Sequence, residues 1–202
     1  PEQRAICEVN TGILAAPTHL LKNWLAKLGN KNAQGEYYLT DIVAMAVAKG
    51  IEVSTTQPAH PWEVMGINSK VQLAELERIW QKEQALRLLT QGVTLADPAR
   101  LDIRGKLVCG RDVEIDVGCI FEGEVHLANK VKVGAYTVIR NSKVEAGTHI
   151  APYSHIDSAE IGARCSIGPY ARLRPGTKLH QDVHIGNFVE IKNSEIAARS
   201  AS

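Results

Sequence analysis

Residues 161–191 read IGARCSIGPYARLRPGTKLHQDVHIGNFVEI, with an isoleucine or leucine at every sixth position. The spacing recurs upstream, and steps of five residues join the separate series. Neither a helix, with a period of 3.6, nor an alternating strand, with a period of two, produces this pattern. We call these residues the anchors: Leu127, Val133, Ile139, Val144, Ile150, Ile156, Ile161, Ile167, Leu173, Leu179, Ile185, Ile191 and Ile196. The pattern predicts a triangular coil in which each six-residue unit forms one face and each anchor points inward.

Other positions follow the same register. The residue four places after an anchor is small or β-branched at Val131, Thr137, Thr148, Ser154, Cys165, Ala171, Thr177, Val183 and Val189. Glycine follows the anchor at Gly134, Gly162, Gly168 and Gly186, where a tight corner would favour it. An antiparallel sandwich would instead alternate with period two and turn every ~8–12 residues. We therefore expect stacked, parallel coils.

The first half of the chain has a mixed α and β pattern. Residues 12–15 and 51–56 resemble short strands, and Leu20 to Leu28 have the 3–4 spacing of an amphipathic helix. Thr40 and Asp41 are suited to begin a second helix, and residues 69–90 to form a long third one with Val71, Leu73, Leu76, Ile79, Trp80, Leu86 and Leu89 along one side. We predict a first domain over residues 1–70, a helical linker over 71–91 and the coils over 92–202.

Composition limits the classes of partner. The 202 residues carry 23 basic and 22 acidic side chains, a net charge of +1, which provides no field for binding nucleic acid or an anionic membrane. No apolar run reaches the ~18 residues of a membrane span, and no signal-peptide pattern is present, so we expect a cytoplasmic protein. The widely spaced Cys7, Cys109, Cys119 and Cys165 indicate core residues rather than disulfides or a zinc site.

Several motifs, in order, resemble one enzyme family. They are EVNTGIL (8–14), NAQGEYYLTD (32–41), GINS (66–69), DPAR (97–100), GRDVEID (110–116), IGPYARLRPG (167–176) and IGNFVEIK (185–192). Together they are similar to the bacterial bifunctional N-acetylglucosamine-1-phosphate uridyltransferase and glucosamine-1-phosphate acetyltransferase. The resemblance implies the C-terminal part of a Rossmann-like α/β nucleotidyltransferase domain, followed by a left-handed parallel β-helix of hexapeptide repeats that forms homotrimers.

The resemblance also implies residue roles in uridylyl transfer, in which a sugar 1-phosphate attacks UTP with Mg²⁺ between the charged groups. Asn68 matches a metal-binding asparagine and Asn10 a residue that hydrogen-bonds the sugar, while Tyr38 and Thr40 match the loop beside it. Judged without the family, Asn10 and Asn68 are typical turn residues.

For acetyl transfer from acetyl-CoA, Arg174 and Lys192 match the residues that bind the sugar phosphate, and Arg172 is a further candidate. Arg174 and Lys192 are 18 residues apart, one coil, so both side chains would lie on one face. The alternative for any arginine on an outer face is a solvated charge.

Some features that the resemblance implies have no match in the chain. They are the family's nucleotide-binding loop and its upstream metal-binding Asp. The catalytic base of acetyl transfer, a histidine, and the segments that hold acetyl-CoA are expected beyond Ser202, so no catalytic residue is assigned within the chain. Residues 197–202 also depart from the family's pattern. We therefore expect neither reaction from this chain alone.

The sequence leaves other functions open. A non-catalytic trimeric scaffold, or another hexapeptide acyltransferase, remains an alternative. A zinc enzyme resembling γ-carbonic anhydrases is disfavoured, because the spacings of His149 and His155, and of His180 and His184, do not indicate a metal site.

Overall fold

The computed structural model describes residues 10–201. Cys7, the first two residues of the EVNTGIL motif and Ser202 therefore lie outside the described residues. The chain divides into two compact units, the first ending at Gln72 and the second beginning at Leu73. None of the helices within residues 10–201 is both long and apolar enough to traverse a lipid bilayer.

The first unit is a small helical cluster. It contains α1 (Thr18–Leu25), α2 (Asp41–Ala48) and a 3-10 helix over Pro61–Val64. Trp24 of α1 packs with Ile42 and Ala46 of α2, and these three residues are its buried core. The second predicted helix is thereby confirmed, whereas the first ends at Leu25, before the predicted position.

The two strands predicted in this unit are wrong. Residues 12–15 and 51–56 belong to no strand, and no strand is found within residues 10–72. A strand exists only where a neighbour pairs with its N–H and C=O groups. Neither segment has such a neighbour among the described residues, so their apolar pattern does not produce a sheet.

The third helix, α3 (Lys70–Thr90), has the predicted length but a different buried face. Gln81, Ala85 and Leu88 are its buried residues, whereas the apolar side expected from the sequence is largely exposed, including Leu73 and Leu86. Ala85 and Leu88 join the core of the coils. The C-terminal part of α3 therefore covers the first coil instead of serving only as a connector.

Gln81 explains which face of α3 is buried. Its side-chain NH₂ donates to the carbonyl of Ile103 at 2.9 Å, and its side-chain oxygen accepts from the Ile103 N–H at 2.8 Å. Ile103 belongs to the first long strand of the coils, which pairs on its other side with the next coil. The amide of Gln81 thus takes the place of a neighbouring strand at the open end of the stack.

The coils contain short parallel strands and one 3-10 helix over Pro98–Arg100. The strands are β1 (Thr94–Leu95), β2 (Asp102–Cys109), β3 (Glu114–Ile115), β4 (Ile120–Leu127), β5 (Lys132–Val133), β6 (Val138–Arg140), β7 (Lys143–Val144), β8 (His149–Ile150), β9 (His155–Asp157), β10 (Glu160–Ile161), β11 (Ser166–Ile167), β12 (Arg172–Leu173), β13 (Lys178–Leu179), β14 (His184–Ile185), β15 (Glu190–Ile191) and β16 (Glu195–Ile196).

These strands form three parallel faces. Face A contains β1, β3, β5, β8, β11 and β14. Face B contains the first part of β2 and of β4, then β6, β9, β12 and β15, and face C contains the remaining parts of β2 and β4, then β7, β10, β13 and β16. From Glu114 onward on face A, paired residues are 17 or 18 positions apart. The predicted parallel β-helix is therefore present.

The anchors form the interior of the β-helix. Those from Leu127 to Ile191 are at most 8% exposed, and Ile196 is partly buried. The small residues four positions later are also buried, except for the partly buried Val189. Cys119 and Cys165 lie among them, and Cys109 is partly buried. Burial raises the pKa of the Cys109 thiol to about 12 and that of Cys119 to about 11, so both remain protonated and unreactive at neutral pH.

Gly134 and Gly162, two of the glycines after the anchors, lie where a Cβ would clash, as predicted, and Gly168 has a φ of +86°. A Cβ on Gly134 would lie 2.6 Å from the nitrogen of Pro152, and one on Gly162 would lie 2.5 Å from the carbonyl carbon of His180. Both clashes are with the backbone of the next coil. Close approach between coils therefore requires glycine at these two positions, whose φ is not positive.

The corner after face A carries an aromatic ladder, which we define as Tyr136, Tyr153, Tyr170 and Phe188. Each of these residues has a φ of 57–61°, in the left-handed region. Their rings stack in order, with centroids 5.0–5.4 Å apart and planes within 13° of parallel. The ladder therefore repeats the spacing of the coils on the outside of the molecule.

Two buried threonines at equivalent positions differ in their hydrogen bonds, and this difference predicts opposite mutational effects. The Thr148 hydroxyl donates to the carbonyl of Gly162 at 2.8 Å and accepts from the N–H of Cys165 at 3.1 Å. Thr148→Val leaves both backbone groups without this partner, so we expect a loss of about 1–3 kcal/mol in the free energy of unfolding. Urea-induced unfolding followed by circular dichroism would measure it.

Thr137→Val is the matched control. The Thr137 hydroxyl is equally buried and has no hydrogen-bond partner among residues 10–201. Replacing an unpartnered hydroxyl with a methyl group should leave the free energy of unfolding unchanged or raise it. Equal destabilisation by the two substitutions would contradict the assigned hydrogen bonds.

Candidate functional site

Arg174 and Lys192 lie next to each other on face B. Leu173 of β12 pairs with Ile191 of β15, and the N–H of Arg174 donates to the carbonyl of Ile191 at 2.8 Å. Leu173 and Ile191 point inward, so the residue after each begins the corner on adjacent coils. Neighbouring strands are about 4.8 Å apart, which allows two such side chains to reach the same anion.

Glu190 connects the two arginines of this site. Its Oε1 lies 2.8 Å from Nη1 of Arg174, and its Oε2 lies 4.0 Å from Nη1 of Arg172. The side chains of Arg174, Glu190 and Arg172 are 37%, 48% and 53% exposed, so solvent screens these ion pairs. Lys192 is exposed and forms no ion pair with any residue in the range 10–201.

Charge around this site is predominantly positive. In the strand register, Arg172 lies between His155 of the preceding coil and Glu190 of the following coil. Arg174 is two residues after Arg172 on the same side of the strand. Arg172, Arg174 and Lys192 thus bring three permanent positive charges to this part of face B, where Glu190 and, one coil earlier, Asp157 are negative. An arginine fork beside a lysine is suited to a phosphate, because the guanidinium can bind two oxygens while the ammonium acts as a point charge.

The predicted residues of the first unit are exposed and do not form one cluster. The side-chain oxygen of Asn10 accepts from the N–H of Gly12 at 3.0 Å, which is a local turn. The Tyr38 hydroxyl donates to Gln34 at 2.8 Å, and Thr40 immediately precedes α2. No hydrogen bond within residues 10–72 joins Asn10, Tyr38 or Thr40 to Asn68.

Asn68 lies at the beginning of α3. Its N–H donates to the side chain of Gln72 at 2.7 Å, while the N–H of Gln72 donates to the Ser69 hydroxyl at 3.2 Å. These bonds cap the helix and leave the side-chain oxygen of Asn68 without a protein donor among the described residues. That oxygen is a hard ligand of the kind that Mg²⁺ prefers.

The histidines of the coils are dispersed. His149 and His184 lie on face A, on either side of Ser166, and His180 contacts Glu195 at 2.6 Å. Throughout residues 10–201, no three His, Cys, Asp or Glu side chains are grouped so as to hold a metal ion.

Glu190 is the residue of this site that sequence reasoning missed. The signal was available, because Glu190 is 18 residues after Arg172 and two before Lys192, which places it on the same outer face. An acidic residue beside two phosphate-binding candidates was not expected to be part of the site.

Comparison with known proteins identifies relatives along nearly the whole chain. Residues 103–200 match the family described as the GMPPB C-terminal domain. The chain is 66% identical over 199 residues to the bifunctional protein GlmU of Herminiimonas arsenicoxydans, which covers 98% of the chain and 44% of the relative. It is also 66% identical over 200 residues to that of Janthinobacterium sp., covering 99% and 44%. The chain thus spans less than half the length of these curated relatives.

A solved structure supports the fold. The acetyltransferase domain of PglB from Neisseria gonorrhoeae has a TM-score of 0.51 and 16% identity, covering 62% of this chain and 64% of that one. At this identity, the similarity concerns the parallel β-helix alone. The resemblance found in the sequence is thus confirmed: over 98–99% of its length, the chain is 66% identical to part of proteins named bifunctional protein GlmU.

Proposed function

We propose that this chain is part of an enzyme that acetylates glucosamine 1-phosphate with acetyl-CoA and then transfers a uridylyl group from UTP to the N-acetylglucosamine 1-phosphate, releasing pyrophosphate. The observation that carries the proposal is the adjacency of Arg174 and Lys192 on neighbouring coils. We assign to them the phosphate of the sugar substrate. The two reactions in sequence would produce UDP-N-acetylglucosamine.

In the acetyltransferase half, the site binds and orients the substrate. The Arg174 guanidinium would bind two phosphate oxygens and Lys192 a third, and Arg172 would add positive charge. Fixing the phosphate in this way holds the sugar amine in one orientation for attack on the thioester of acetyl-CoA. No catalytic base is assigned among the residues of this chain.

In the uridyltransferase half, we assign Asn10 to the sugar and Tyr38 and Thr40 to the loop beside it. Asn68 is assigned as one Mg²⁺ ligand, and its free side-chain oxygen is compatible with that role. One amide oxygen does not make a magnesium site, which requires about six oxygen ligands. No step through the metal is therefore derived. The assignment of residues 1–70 to a Rossmann-like nucleotidyltransferase domain, with residues 71–91 as a linker, is part of this proposal.

The assembly and setting belong to the same proposal. We infer a left-handed β-helix over residues 92–202 that forms a homotrimer in the cytoplasm and acts on small molecules. Trimer formation would also cover exposed faces of the coils, as in other stacked-repeat proteins. Analytical ultracentrifugation of the chain tests whether it forms a homotrimer.

Arg174→Ala tests the proposed phosphate site. Each charge-assisted hydrogen bond contributes about 1.5–3 kcal/mol, so we expect the affinity for glucosamine 1-phosphate to fall about ten-fold or more. Isothermal titration calorimetry on the chain measures this change. Arg111→Ala, which removes an exposed arginine preceding β3, is the matched control and should leave the affinity unchanged.

The alternative functions make different predictions for the same titration. A non-catalytic scaffold would show no binding of glucosamine 1-phosphate by the unaltered chain. A hexapeptide acyltransferase for another substrate would bind that sugar phosphate no better than inorganic phosphate. Either result would overturn the proposed function.

A further inference from the structure

Glu190 is the one acidic side chain within residues 10–201 that contacts the arginine assigned to the substrate. Its carboxylate accepts from Nη1 of Arg174 at 2.8 Å, across two adjacent coils. On electrostatic grounds alone, a carboxylate at this place would oppose the binding of a phosphate. Attraction to the phosphate therefore does not explain why a carboxylate lies at this place.

The geometry provides such a reason. An arginine side chain has several rotatable bonds and loses about 2 kcal/mol of rotamer entropy when it is fixed. Glu190 comes from β15, the same strand that leads to Lys192, and draws the guanidinium of Arg174 toward that coil. With one Nη bound to Glu190, the remaining N–H groups of Arg174 are held near Lys192 before a ligand arrives.

We propose that Glu190 is a positioning residue that preorganises Arg174 for phosphate binding beside Lys192. This inference rests on the proposed function, since it takes Arg174 and Lys192 as the phosphate ligands. Glu190 itself does not touch the phosphate. Its negative charge weakens binding, and its hydrogen bond to Arg174 strengthens it.

Two substitutions separate these opposing effects. Glu190→Gln and Glu190→Ala both remove the negative charge, but only glutamine keeps an oxygen that accepts from Arg174. The ratio of their affinities thus measures positioning without the contribution of charge. We expect E190Q to bind glucosamine 1-phosphate about three- to five-fold more tightly than E190A, within the range for one net hydrogen bond.

Glu160 provides a matched pair of controls. It occupies the equivalent position on β10 of face C, also precedes an inward isoleucine, and lies 3.6 Å from Lys178 instead of a site residue. E160Q and E160A should bind the sugar phosphate with equal affinity. All four variants should have the same melting temperature, since exposed pairs contribute little to stability.

The outcomes distinguish this inference from the proposed function. Equal affinities of E190Q and E190A overturn the positioning role, while the proposed function stands if R174A still weakens binding. A lower affinity of E190A that is accompanied by a lower melting temperature also overturns it, because the effect is then structural. If the unaltered chain does not bind glucosamine 1-phosphate in calorimetry, both proposals fail.

Discussion

Replacing Ile156 with alanine is expected to lower the free energy of unfolding of the β-helix by about 2–5 kcal/mol. Ile156 is fully buried on β9, between Ile139 of β6 and Leu173 of β12. The substitution removes three carbon atoms and leaves a cavity that these two stacked neighbours cannot fill without moving a strand. Urea-induced unfolding followed by circular dichroism measures the loss.

Lys143→Ala is the control for Ile156→Ala. Lys143 is the exposed residue beside the anchor Val144 on β7, and it forms no ion pair with the described residues. Its removal should change the free energy of unfolding by no more than about 0.5 kcal/mol. A similar loss for both substitutions would contradict the inward orientation of the anchors.

Replacing Gln81 with leucine should have an effect of similar size, although the residue is polar. Leucine cannot accept from the N–H or donate to the carbonyl of Ile103, and both groups are buried under α3. Each buried backbone group left without a partner costs about 1–3 kcal/mol, so we expect a total loss of about 2–4 kcal/mol. The amide N–H of Ile103 should also exchange with solvent much faster, which NMR detects.

Gln84→Leu on the same helix tests whether the effect is specific to Gln81. Gln84 is partly buried one position before Ala85, and its side chain has no hydrogen bond to any residue that the structure describes. This substitution should leave both the stability and the exchange rate of Ile103 close to those of the unaltered chain. Unchanged exchange at Ile103 in the Gln81→Leu variant would refute the capping role of Gln81.

The β-helix could be predicted from the sequence because its determinants are local. Every anchor from Leu127 to Ile191 occupies the interior, since each face repeats one short pattern and the parallel register follows from coil length. The position of Arg174 beside Lys192 follows from the same count. The hydrogen bond that joins Glu190 to Arg174 does not, because the choice of partner for an exposed arginine depends on rotamers that no spacing encodes.

The helical unit and α3 were harder to predict because their determinants are not local. The segments 12–15 and 51–56 have an apolar pattern suited to strands, but no partner strand lies within the described residues. The predicted buried face of α3 was wrong because hydrophobicity favoured Leu73 and Leu86. The backbone of Ile103 instead selects Gln81, a polar residue that sequence patterns assign to solvent.

The length of each coil has a consequence for how such a chain can change over generations. Single-residue insertion within a two-residue strand would turn the anchor of that strand from the interior to the solvent, because side chains alternate along a strand. Coils of 17 and 18 residues coexist here, so a corner absorbs a difference of one residue. Heritable changes in length are therefore expected to accumulate at the corners or to add and remove whole turns of the helix.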